Sequence, residues 1–218
     1  MSDPIFAEVD EEVRREQLKQ LWNRYGGYAI AAALVIVLGI AGWRGNQWWE
    51  ARKAAEAGTA FEAAAALLEQ DKYADAEAAF AKIAAEAPSG YRILARFREA
   101  AALAQRDAKA AVTIYDTIAT DSNAGLALQD LANLRAGMVL ADTEPYDALR
   151  ARLEPLTGAD RAFRHTAREL LAFAAWRGND GDAAKRWIDM IVTDAETPAS
   201  TRTRIDMLIA LTGTQAKG

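Results

Sequence analysis

Three kinds of hydrophobic patterning follow one another along the chain. Before residue 25, Ile5, Phe6, Val9, Val13, Leu18, Leu21 and Trp22 recur at near-helical spacing among charged residues, which predicts an amphipathic helix. From Gly27 to Trp43 the stretch GYAIAAALVIVLGIAGW carries no charged or amide side chain. From Ala54 onward apolar positions recur with a helical period broken by short polar turns, and no convincing run alternates with period two. The pattern predicts an all-α chain in three parts: a tail over 1–24, an apolar helix with its flanks over 25–49, and a helical domain over 50–218.

An apolar helix needs about 20 residues to cross a bilayer, and Tyr25 to Trp43 comes close to that length. Aromatic rings that favour the headgroup level stand at both ends, with Trp22, Tyr25 and Tyr28 before the stretch and Trp43, Trp48 and Trp49 after it. Bases able to snorkel flank it: Arg14, Arg15, Lys19 and Arg24 on one side, Arg44, Arg52 and Lys53 on the other. A cleaved signal peptide is the main alternative, since Gly39-Ile40-Ala41 offers small residues at a plausible cleavage site. Against it stand the acids of the preceding segment (Asp3, Glu8, Asp10, Glu11, Glu12 and Glu16) and the Trp-rich belt that follows. A buried core helix would carry a polar stripe, and this one has none. The expectation is an uncleaved anchor. The flanking bases barely orient it, four before against three after. A long carboxyl-terminal domain translocates largely regardless of charge, which favours a cytoplasmic tail and an exported domain. The stripe of the tail suits a membrane surface or a partner groove.

The helical domain repeats itself. Ala76, Phe80 and Ile83 are matched 35 residues later by Ala111, Tyr115 and Ile118, and the small–large–large spacing returns as Leu149, Leu153, Leu156 and as Ala184, Ile188, Ile191. Twelve residues before each leading position stand Ala64, Gly137 and Ala172, whereas the second copy has Glu99 beside Ala100, Ala101 and Ala102, which predicts a one-residue change of register. A tetratricopeptide unit is a pair of antiparallel helices in about 34 residues, with small residues where the helices press closest and a large one closing the interface. The prediction is an α-solenoid of about four such pairs, with Pro88 ending a second helix and Pro155 interrupting another. QDK, QRD and GNDG are the turns within pairs, ADTEPYD is a longer one, and ASTRTRIDMLIALT is a C-terminal capping helix.

Composition adds mainly exclusions. The net charge of −5 gives no pull toward nucleic acid, and the absence of cysteine removes disulfides and thiolate metal sites. His165 is the only histidine, and with Ser2, Ser89, Ser122 and Ser200 as the only serines, nucleophilic catalysis and transition-metal binding have little to work with. His165 is expected as a capping or groove residue. No catalytic, cofactor or metal residue is predicted, and the chain reads as a non-enzyme. In a stack of this kind the first helix of each pair lines the concave side, so Arg92, Arg96 and Arg168 are expected to face a protein ligand, with Arg98 on the same helix as Arg92.

A short acidic tail, a span ending in Gly42-Trp43-Arg44, and an Ala-rich repeat domain closing with TPASTRTRIDML together resemble the YfgM-type family of ancillary SecYEG translocon subunits, over nearly the whole chain. The resemblance implies an inner-membrane protein, N-terminus cytoplasmic and repeat domain periplasmic, without cofactor. It implies contacts with translocon components, a membrane-anchored periplasmic chaperone and newly exported clients. An envelope-assembly or cell-division scaffold would use the same architecture. Replacing Val35 or Ile36 by a charged residue should weaken the anchor by about 3 kcal/mol of insertion energy. Carbonate washing of membranes checks this: the native chain stays in the pellet and the variants move toward the supernatant.

Overall fold

The computed structural model describes residues 4–215, with side chains described over 14–211 apart from those at 17 and 29. Among the described residues there are nine α-helices and no strand: α1 (Pro4–Glu69), α2 (Tyr73–Glu86), α3 (Ser89–Leu103), α4 (Ala108–Ala119), α5 (Leu126–Leu140), α6 (Tyr146–Leu153), α7 (Arg164–Arg177), α8 (Gly181–Thr193) and α9 (Ala199–Gln215). Contacts divide the chain into two compact units between Lys53 and Ala54, inside α1.

In the first unit Ile30, Leu34, Val35, Ile36, Val37, Leu38 and Ile40 are each more than half exposed, so these aliphatic side chains have no protein core to enter. The segment Ile30–Glu69 is the one helix among the described residues long and apolar enough to cross a membrane, by length and composition.

In the second unit the helices pair in chain order. The end of α1 stands with α2 around one core, and α3 with α4, α5 with α6 and α7 with α8 pack as neighbours; α9 packs on α7 and α8. The repeat positions explain why. All twelve small–large–large residues are buried, from Ala76, Phe80 and Ile83 through to Ala184, Ile188 and Ile191. Their partners on the first helices, Ala64, Gly137 and Ala172, are buried too. At Gly137 the helices are so close that a Cβ would lie 2.7 Å from Leu153 Cδ2. In the second pair Ala100 is fully buried and Glu99 is not, so the register does step by one residue, because a carboxylate cannot occupy the point of closest approach. Edge-on contact of Phe61 with Phe80, centroids 5.1 Å apart, closes the first pair, and Phe97 lies 6.0 Å from Tyr115 in the second.

Local signals set the boundaries. Asp107 and Asp180 accept hydrogen bonds from the backbone N–H groups of Ala110 and Ala183 at 2.9 Å, capping α4 and α8. Asp71 and Asn179, each five residues before the small residue of its second helix, adopt left-handed conformations (φ 57° and 58°). The next residue's N–H then closes on a carbonyl five residues back, Lys72 on Leu67 and Asp180 on Ala175, both at 2.9 Å. Pro88 separates α2 from α3, and Pro155 converts the end of α6 into a single 3-10 turn over Glu154–Leu156. Phe80→Ala should destabilise the protein by about 3 kcal/mol. Gly137→Ala should destabilise it by about 1–3 kcal/mol, through overpacking against Leu153. Denaturant unfolding measures both, and losses under about 0.5 kcal/mol would place these residues outside the helix-pair interfaces.

Candidate interaction site

The position four residues before the buried small residue of the first helix is polar in pairs two, three and four: Arg96, Asn133 and Arg168. All three reach back to the second half of their own pair. Arg96 Nη2 donates to Thr117 Oγ1 on α4 at 2.7 Å. Asn133 Oδ1 lies 3.5 Å from Arg152 Nη1 on α6. Arg168, only 6% exposed, donates to the Thr157 carbonyl through Nε at 3.0 Å and Nη2 at 2.7 Å, and through Nη1 to the Met190 carbonyl and to Asp194 Oδ2. The expected ligand-facing set is therefore not one surface. Arg168 is an internal tie that no partner reaches, and Arg96 is half-buried against α4. Arg92 and Arg98 are exposed on α3. Arg96 and Arg168 lie about one turn before the buried Ala100 and Ala172, whereas Arg92 lies two turns before, and helical periodicity carries no information on the acceptors that await such residues on other helices.

Arg168 belongs to a network that the sequence does not announce. Asp194, just beyond α8, accepts from Arg164 Nε at 3.1 Å, from Arg168 Nη1 at 2.9 Å and from the Glu196 N–H at 3.0 Å. The Arg164 bond first, then the backbone donor and Arg168, hold its carboxyl well below the usual carboxylate range. His165 Nδ1 lies 3.2 Å from Thr197 Oγ1 and 3.8 Å from Asp194. Burial, helped by the neighbouring Arg164 and only partly opposed by Asp194, lowers its pKa, so the ring is neutral at pH 7. The TPASTRTRIDML segment completes the arrangement. Arg202 donates to the carbonyls of Val192, Asp194 and Thr197; Thr201 and Arg204 bind Glu169 of α7; and Ile205 and Leu208 are buried. These residues dock a cap.

A polar recess of the repeat unit lies elsewhere, between α4, α5, α6 and the 3-10 turn, with a volume of about 760 Å³. Asp116 faces Arg152 across it, Nη1 to Oδ1 at 2.5 Å and Nη2 to Oδ2 at 3.4 Å. Asp130 lies 3.4 Å from Arg161 Nη1. Burial raises the Asp130 pKa, against the pull of Arg161.

In the first unit Trp22, Tyr25, Tyr28, Trp43, Trp48 and Trp49 are all more than half exposed. Lys53 Nζ sits 3.6 Å above the Trp49 ring, Arg52 lies 5.7 Å from Trp48 and Arg24 lies 5.8 Å from Tyr25, so rings and cations form joint clusters. Among the described residues no group of His, Cys, Asp and Glu has a geometry that would hold a metal ion.

A family model described as a tetratricopeptide repeat-like domain matches residues 19–186, from before the apolar stretch into α8. No curated protein and no solved structure matches the chain.

The Asp194 network generates a pH dependence with one sign. Asp194 is depressed below its unfolded value, so the stability it contributes is present above about pH 4 and lost as pH falls. His165 is also depressed: below about pH 6.5 the unfolded chain takes up the proton first, and the native state loses ground. Melting temperature should fall in two stages on acidification. Asp194→Asn should flatten the lower stage and His165→Gln the upper, as read from thermal melts between pH 3 and 8.

Proposed function

Because the chain belongs to the tetratricopeptide repeat-like family, we propose that it is a membrane-anchored protein-interaction module whose repeat domain, an α-solenoid, works outside the cytoplasmic face of an inner membrane. The observation that carries this reading is the extent of the family match, which takes in both the apolar stretch and the helix pairs. Repeat domains of this kind typically bind proteins. The exposed aliphatic side chains of the first unit, bracketed by exposed aromatic and cationic clusters, suit a bilayer and its two interfaces.

The mechanism is display. Stacked helix pairs offer a surface of fixed geometry, and the covalent link to a spanning helix raises its effective concentration near membrane partners. The resemblance to YfgM-type subunits supplies the finer assignment: an ancillary component of the Sec translocon that passes exported clients to a membrane-anchored chaperone, with no chemical step of its own. Arg92 on α3 is the contact point retained from the expected arginine set, since it alone of the three is exposed.

A photo-crosslinking side chain at position 92, activated in intact membranes, tests the assignment. Translocon subunits and a chaperone should dominate the catch; cell-wall synthesis or division proteins in their place would overturn it in favour of the scaffold. Arg92→Glu should shift stability by no more than about 0.5 kcal/mol while reducing partner recovery in pull-downs. Arg168→Glu, by contrast, should lose helicity, because it places an acid beside Asp194 inside the protein.

A further inference from the structure

In the cleft between the second helices of pairs two and three, closed by α5, one buried carboxylate has an ion pair but no hydrogen bond among the described residues. Of the cleft's two cations, Arg152 makes a two-pronged pair with Asp116, and Arg161 donates through Nε to the Pro155 carbonyl at 3.1 Å. Asp130 is different. It is 5% exposed, yet among the described residues no hydrogen bond reaches either of its oxygens, and its ion-pair partner Arg161 stands off at 3.4 Å. An ionised carboxylate offers about four acceptor positions, and the single long contact with Arg161 leaves most of them open to whatever enters the cleft.

We propose that this cleft receives a lysine or arginine side chain of a protein partner, with Asp130 as the acceptor at its inner end. The cleft suits that occupant at both ends. Leu126, Ala148 and Ala151 line it with apolar surface along which an aliphatic stem can lie, while Asn133, one turn along α5, offers a polar group beside the carboxylate. A cation brought to Asp130 supplies the missing donors and favours its ionised form, which burial disfavours. An anionic ligand would instead meet the two carboxylates, Asp116 and Asp130, that already stand against the cations of the cleft. The site differs from the Arg92 face of α3, and it deepens the reading of the chain as a protein-interaction module, on which it rests.

The test uses the full chain in lipid nanodiscs and three blocked tripeptides, acetyl-Ala-Lys-Ala-amide and its norleucine and glutamate counterparts, followed by the NMR signals of α5. The lysine peptide should shift those signals saturably, and the other two should not. Asp130→Asn should keep helicity, and should weaken lysine-peptide binding at least tenfold. Ala151→Lys, at an exposed position lining the cleft, supplies a cation in place and should block the peptide as well. Equal binding of the norleucine or glutamate peptide, no saturable shift, or unchanged affinity in Asp130→Asn overturns the proposal. If position 92 still captures translocon partners while the lysine peptide fails to bind, the cleft assignment falls and the interaction reading stands.

Discussion

Close approach of two helix backbones is the constraint from which the repeat unit follows. It happens once per pair, where Ala64, Ala100, Gly137 or Ala172 on the first helix meets the packing ridge of the second. Gly137 shows how little space is left there, since Leu153 already occupies the volume a methyl group would need. Each pair buries only part of its apolar surface internally and depends on its neighbours for the rest, so the three clusters of core residues run on through successive helices. Turn geometry serves the same end. The left-handed residues Asp71 and Asn179 reverse the chain within three residues, which keeps the paired helices in register at the point of contact.

Much of this architecture was legible in the residues themselves. Ala76, Phe80 and Ile83 and their nine counterparts declare the pairing through spacing alone, and all are buried. Glu99 announces the register step because an acid cannot sit where alanine must. Pro155 and the ADTEPYD stretch mark the irregular third pair, and α6 does end early there. What spacing does not reveal is long-range pairing of polar groups. Arg168 and Asp194 are 26 residues apart and Glu169 and Arg204 are 35 apart, and no local pattern distinguishes an arginine that will find a buried acceptor from one that will face solvent. The one available signal was positional. The residue four before the small position is polar in three successive pairs, and recurrence at a fixed repeat position points to a structural tie. Asp130 escaped notice for a related reason: on a helix a lone acid reads as a solvated surface residue, and only the neighbouring helices make it a buried one.

The charge arrangement also differs between the two units. Around the apolar segment, cations lie over exposed aromatic rings. In the repeat unit, most well-placed arginines are consumed internally, holding carbonyls at helix ends or acids on the next helix. Those arginines are not available to a partner, and specificity then depends on the charged groups that the folded surface leaves exposed, Arg92, Arg98 and Arg135 among them.

The ionic ties are not spread evenly along the stack. The first two pairs are held mainly by aromatic rings and alanine contacts, whereas α7, α8 and α9 are joined by a network centred on Asp194 and Glu169. Helix pairs that pack mainly on their chain neighbours open with free energies of their own. Acid acts most strongly on the Asp194 network and less on the first two pairs, where it meets the Asp107 cap and the Glu77–Arg106 pair, so fraying has a built-in direction: α9 and α8 detach first, while the early pairs stay closed. A protein so built keeps its first helix pairs folded under conditions that have already released its last ones.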